Sequence, residues 1–318
     1  MIILYQNGDL RAVPLLLNCD RQAIPSYESA ERLWQIATGL QKAGGCKIQE
    51  PDVTHSEILA LLQTVHEPAY LDFLTYQSKT LDQKTLLIEH DFVAPGVSAD
   101  TPIIAGMFNV ALEGARTAVA AAHQLTHGVQ RAYALCRPPG HHAGKAWMGG
   151  YCYLNNAVLA LHTLIQHGFS PVGLIDIDYH FGNGSADILQ SVSEAFFASL
   201  HCSTEKSFPY QKTVPLNQRQ VIIPFEESPE PKAFLDALAS VIEKFIIWGC
   251  TALVISIGFD IIDGDPHGGW NLPANIFASI GSLLAHVSIP LCFVQEGGYL
   301  LNQLETCAFH LGKGLQTN

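Results

Sequence analysis

Seven short apolar runs, IILY, RAYALC, PVGLIDID, AFFASLH, QVIIPF, ALVISIGFD and PLCFVQEGG, punctuate this chain, each bounded by Gly, Pro or polar residues. Their length and their Val, Ile and Leu content fit strands covered on both faces, as in a parallel sheet. Segments with helical period lie between them, at residues 28–43, 103–127, 154–167, 230–248 and 272–287. Alternating strand and helix predicts an α/β fold, a parallel sheet flanked by helices on both faces. A hydrophobic fraction of 48% against 14% charged residues supplies a large core and excludes disorder. No linker or repeat divides the chain, so residues 1–318 are expected to form one domain. The longest stretch without clear periodicity is 76–102.

The charge balance narrows the partners. Lys plus Arg is 17 and Asp plus Glu is 29, a formal charge of -12, which repels phosphate backbones and anionic lipid and suits cationic amines. Neither nucleic acid nor membrane is an expected partner. No segment reaches the roughly 18 apolar residues of a membrane span, and the N-terminus has no basic start followed by an apolar stretch. The eight cysteines are scattered singly with no CxxC pair, which fits reduced thiols and a cytoplasmic protein.

In this fold class ligands bind at the carboxyl ends of strands, and four of these ends carry unusual polar groups. PVGLIDIDYHFGNG places Asp176, Asp178 and His180 at i, i+2 and i+4, on one side of an extended backbone. Helix capping does not explain two acids within an apolar run, where an unpaired charge is costly. Carboxylate and imidazole at that spacing suit a metal. ALVISIGFDIIDGDPHGG adds Asp260, completing a two-oxygen, one-nitrogen set with a position left for water. Asp263 and Asp265 beyond it read as turn residues. RPPGHHAG presents His141 and His142, adjacent rings that need separate orienting partners and suit acid and base roles beside a metal-activated water. In VQEGGYLLN, Gly297 and Gly298 permit a sharp turn into Tyr299, whose phenol can donate to a developing oxyanion.

In this order, RPPGHHA, GGYCYLNNA, DIDYHFGNG, SIGFD and EGGY resemble the histone deacetylase and acetylpolyamine amidohydrolase family, over about residues 65 to 305. The resemblance implies an arginase-like fold and one catalytic zinc ion held by Asp178, His180 and Asp260. It implies that His142 activates water, that His141 is its electrostatic partner or acid, and that Asp176 and Asn183 orient the two rings. Tyr299 would polarise the acetamide carbonyl, Gly150, Tyr151 and Phe208 would line an acyl-lysine tunnel, and Asp100 would hold substrate backbone at its rim. Potassium ions near the Asp176–His180 backbone are also implied.

Three features depart from the family pattern. Phe181 stands where a second consecutive histidine is common, the Gly-rich run after SFPYQKTVPLNQRQVIIPF is absent, and His267 replaces the gatekeeping glutamate of a polyamine-selective relative. The expected activity is zinc-dependent removal of an acetyl or related acyl group from acyl-lysine in proteins or peptides, with acetylated polyamines as the alternative substrate. An arginase-type ureohydrolase would need a second full ligand set. A silent acyl-lysine binder would be expected to lack a ligand or the tyrosine.

Overall fold

The structure is a computed structural model that describes residues 1–6, 15–17, 23–83, 85–88, 91–93, 101–211, 215 and 217–317. The chain opens with β1 (Ile2–Tyr5), β2 (Leu15–Leu17), β3 (Ala23–Pro25), α1 (Glu31–Ala43) and β4 (Lys47–Gln49). Three helices follow, α2 (His55–Val65), α3 (Pro68–Thr80) and α4 (Met107–Thr126), before β5 (Arg131–Leu135) and α5 (Asn156–Gln166). The remainder is β6 (Val172–Asp176), α6 (Asn183–Leu189), β7 (Ala195–Cys202), β8 (Gln220–Phe225), α7 (Pro231–Ile247), β9 (Ala252–Ile257), α8 (Ile276–Ala285), β10 (Leu291–Gln295) and α9 (Leu301–Gly314).

Eight strands form one sheet in the order β4-β1-β5-β10-β9-β6-β7-β8, and every neighbouring pair is parallel. The remaining two described strands, β2 and β3, pair antiparallel as a separate sheet. Successive side chains of a strand face opposite ways, and here both directions are apolar. Along β10, Cys292 and Val294 join a core with Val110, Ala118 and Leu161, while Leu291 and Phe293 join another with Leu33, Phe277 and Leu311. Helices α4 and α5 therefore cover one face, and α1, α8 and α9 the other. Burying a ring such as Phe293 contributes roughly 1.5–3 kcal/mol, so the helices are fixed on the sheet and the strand ends are fixed with them.

The seven apolar runs each contain a strand and the five periodic segments each contain a helix. The sheet edge β4 and helices α2, α3, α6 and α9 add to that expectation, and α3 extends into the stretch 76–102 as far as Thr80. No described helix is long and apolar enough to cross a membrane. The seven cysteines among the described residues are all unpaired.

Candidate active site

The four middle strands, β5, β10, β9 and β6, are direct neighbours, so the segments leaving their carboxyl ends meet. From β5 the chain runs through Pro138 and Pro139 to the two histidines, where Glu296 at the end of β10 holds it. The Glu296 Oε2 accepts the Gly140 N–H at 2.7 Å and the His141 N–H at 3.1 Å, and its Oε1 accepts the Ser256 hydroxyl at 2.9 Å. From behind, buried His66 donates through Nδ1 to the Gly144 carbonyl at 2.8 Å and accepts the Asn155 N–H at Nε2 at 3.0 Å. With the backbone fixed, the rings of His141 and His142 lie 4.0 Å apart.

Each ring has its own partner. His141 donates through Nδ1 to Asp176 Oδ2 at 2.9 Å, and His142 donates through Nδ1 to Asn183 Oδ1 at 2.7 Å. This difference between a charged and a neutral acceptor separates them electrostatically. Burial opposes protonation of His141, but the carboxylates of Asp176 and Asp178 outweigh it and push the imidazolium up to about 10. Burial, followed by the neighbouring charges on His141 and His180, holds His142 well below the ordinary histidine value. One imidazole keeps its proton and the other has a free Nε2 able to take one.

Strand β6 ends at Asp176, so Asp178 and His180 lie in the bends beyond it rather than on the extended strand that their spacing suggests. They still converge. His180 Nδ1 lies 3.2 Å from Asp178 Oδ1 and 3.3 Å from Asp260 Oδ2, and the donor atoms of the three residues lie within 4.8 Å of one another. Asp178 Oδ2 accepts the Gly297 N–H at 2.8 Å and Asp260 Oδ1 accepts the Tyr179 N–H at 3.1 Å. Asp260 Oδ2 is buried without a hydrogen bond. Burial, then the charge of Asp178, pushes the Asp260 carboxyl up to about 7, the behaviour of a pair that calls for a cation between its members. Two oxygens and one imidazole nitrogen, one oxygen orphaned, fit a divalent metal of the zinc class. A second group, His141, Cys152 and Glu296, brings donor atoms equally close, but Glu296 is already engaged with the histidine loop.

Opposite the histidines, Gly298 takes φ +111°, a conformation that favours glycine, and turns β10 into Tyr299. The Arg32 guanidinium sits 4.6 Å over the Tyr299 ring and donates from Nε to the Gly298 carbonyl at 2.6 Å. Burial pushes the Tyr299 phenol well above its ordinary value, so it keeps a proton to donate.

His141, His142, Asp178, His180 and Tyr299 line a cavity of about 360 Å³ together with Gly150, Tyr151, Lys206, Phe208, Tyr210 and His267. Phe208 stands edge-on to His142 at 4.4 Å on one side. On the other, the Tyr151 hydroxyl donates to His267 Nε2 at 3.0 Å, and burial brings that imidazole down to about 4, leaving it neutral. Phe181, the departure beside His180, is buried in the core against Phe197 and His201. Asp100 lies outside the described residues.

The turn reading of Asp265 is incomplete. Its carboxylate accepts the N–H groups of His267 and Gly268, as a turn residue does, and also those of Tyr299 and Leu300 far along the chain. Buried Arg32, Glu28, His66 and Glu296 are further residues beside the site that motif spacing does not reveal. Their roles depend on contacts between distant segments, although a Glu next to Gly-Gly at a strand end was a visible signal.

The sequence profile of the histone deacetylase domain matches residues 26–315. This chain belongs to the histone deacetylase family. Within that family, the acetylpolyamine amidohydrolase of Mycoplana ramosa is 28% identical over 92% of this chain and 93% of its own length. Histone deacetylase 8 of Xenopus tropicalis is 29% identical over 92% of this chain and 79% of its own. The crystal structure of acetylpolyamine aminohydrolase from Burkholderia pseudomallei superposes with a TM-score of 0.86 at 25% identity, covering 99% of this chain and 98% of that one. The fold is thus the arginase-like fold of the histone deacetylase family, and the chain is a deacetylase-type amidohydrolase.

Proposed function

We propose that this protein, acting over residues 1–318 as one catalytic unit, is a zinc-dependent amidohydrolase that removes an acetyl or related acyl group from acyl-lysine in peptides or proteins. The observation that carries this reading is the pairing of His141 with a carboxylate and His142 with an amide, beside three metal-ligand side chains and a protonated phenol. Asp178, His180 and Asp260 would hold the zinc, which when bound supplies Lewis acidity and a more acidic water. His142 Nε2 takes the proton of the attacking water, with Asn183 fixing the ring through Nδ1. The charge on His141, held by Asp176, stabilises negative charge and supplies a proton toward the leaving amine. Tyr299 donates its hydroxyl hydrogen to the carbonyl oxygen as charge develops there. Tyr151, Phe208 and His267 enclose the uncharged methylene chain next to the amide.

Acetylated polyamines are the second reading, favoured by the names of the relatives in Mycoplana and Burkholderia and by the net charge of -12. Against it, the described cavity lining offers no carboxylate apart from Asp178 and carries Lys206. Hydrolysis of an acetyl-lysine peptide, acetylputrescine and acetylspermidine by zinc-loaded protein, side by side and with a chelator control, separates the two. Chelator-sensitive turnover of the peptide well above that of the amines is the expected result, and the reverse order assigns the protein to polyamines.

A further inference from the structure

The carboxylate of Asp265 joins two parts of the cavity that the chemistry alone does not require to be joined. Its Oδ1 accepts the N–H groups of His267 at 2.9 Å and Gly268 at 3.2 Å, and its Oδ2 those of Tyr299 at 2.7 Å and Leu300 at 3.0 Å. One oxygen holds the loop that carries the His267 wall, and the other holds the turn that aims the Tyr299 phenol. Asp265 is 5% exposed, and a carboxylate taken so far out of water is retained only where donors converge on it. A turn needs only the first pair of these bonds. The second pair lies just ahead of α9 and directly after Gly298, which has no side chain with which to stiffen the backbone. Arg32 holds the opposite edge of that turn through the Gly298 carbonyl, so without Asp265 the Tyr299 N–H side loses its anchor.

We propose that Asp265 is a positioning residue that couples the substrate wall at His267 to the catalytic phenol of Tyr299, fixing the two rings at their 4.7 Å separation. The proposal rests on the reading of Tyr299 as the group that polarises the acyl carbonyl. Asp265→Asn places an NH2 where one oxygen accepted two N–H groups and so opens one half of the clamp. Asp265→Ser, too short to span both halves, is the second variant, used if circular dichroism shows that the first does not fold.

The test compares the acetyl and trifluoroacetyl amides of one amine, a lysine peptide or putrescine. The trifluoroacetyl carbonyl is electron-poor and depends less on a hydrogen bond from the phenol. A displaced phenol is expected to lower kcat on the acetyl amide by about 10- to 100-fold and on the trifluoroacetyl amide several-fold less, with Tyr299→Phe showing the same bias. A crystal structure of the variant is expected to show the Tyr299 ring displaced from its place beside His267. Equal losses on the two amides, or a variant structure with the Tyr299 ring unmoved, overturn the coupling. Wild-type protein that hydrolyses neither amide refutes the deacylase reading, and the variant structure then still decides the role of Asp265.

Discussion

Removing the Tyr299 hydroxyl tests the chemistry with little disturbance of the fold. In Tyr299→Phe the ring should stay in place, because what holds it does not involve the hydroxyl. Arg32 lies 4.6 Å over its face, the rings of His267 and Tyr151 stand 4.7 and 5.6 Å away, and the Tyr299 N–H is anchored on Asp265 at 2.7 Å. The hydroxyl itself makes no hydrogen bond to a described residue, so nothing buried is left unpaired. The loss should therefore equal one hydrogen bond made to the developing oxyanion. Such a donor contributes roughly 2.7–4 kcal/mol, or about 10²- to 10³-fold in kcat. The walls that seat the acyl chain are untouched, so KM should change little. Acetate release at saturating substrate measures this, with a thermal melt expected to coincide with that of wild type. A fall in kcat of less than about threefold, or a change confined to KM, would refute the assignment of Tyr299 as the oxyanion donor.

Three further outcomes follow from the same contacts. His142 must be neutral to accept a proton and is held well below 6.5, so kcat/KM is expected to stay flat from neutral pH to below that value. On the alkaline side it should fall where His141, held protonated by Asp176, loses its proton, and Asp176→Asn should move that limb to lower pH; an unmoved limb contradicts the pairing. Glu28 is buried and bound to Arg137 at 2.6 Å and Arg32 at 3.1 Å, so Glu28→Gln strands buried cations and should cost about 3–5 kcal/mol in denaturant unfolding. Burial raises the Glu28 carboxyl, but Arg137 and Arg32 outweigh it and hold it below 4.5. The difference between variant and wild type should thus be complete above that pH and shrink as pH falls through the lower folded value. A Cβ at Gly297 would overlap Asp260 Oδ2 and lie 2.6 Å from Asp178 Oδ2, so Gly297→Ala should emerge from purification with metal content well below wild type by mass spectrometry.

The sheet was legible because fully buried parallel strands must be apolar on both faces, and such runs as ALVIS and PLCFVQ have few other uses in a chain with 14% charged residues. The additional elements carry weaker signals for definite reasons. Strand β4 is a three-residue edge, half exposed, and α6 has only seven residues. Helix α2 does have a readable start, since the Thr54 hydroxyl accepts the Glu57 N–H at 3.2 Å, and α3 has Pro68 in its first turn. Among the site residues, those set by motif spacing were visible: His141, His142, Asp178, His180 and Tyr299 line one cavity, and Asp260 lies against Asp178 and His180. Residues that act by holding another segment were not. Asp265 has the same local sequence whether it closes a turn or also anchors a turn 34 residues away. Only the meeting of β9 and β10 in the sheet distinguishes these cases.

In the proposed function a single metal ion, held by Asp178, His180 and Asp260, makes this cavity an amide hydrolase. Titrating metal-free protein with zinc while recording acetate release from an acetyl-lysine peptide and from acetylputrescine tests it most directly. No release before addition, a linear rise, and a sharp break at one zinc per chain are expected. A break at two per chain would indicate a second ion, as in the arginase-type alternative, and release unaffected by removal of the metal would contradict metal-dependent hydrolysis.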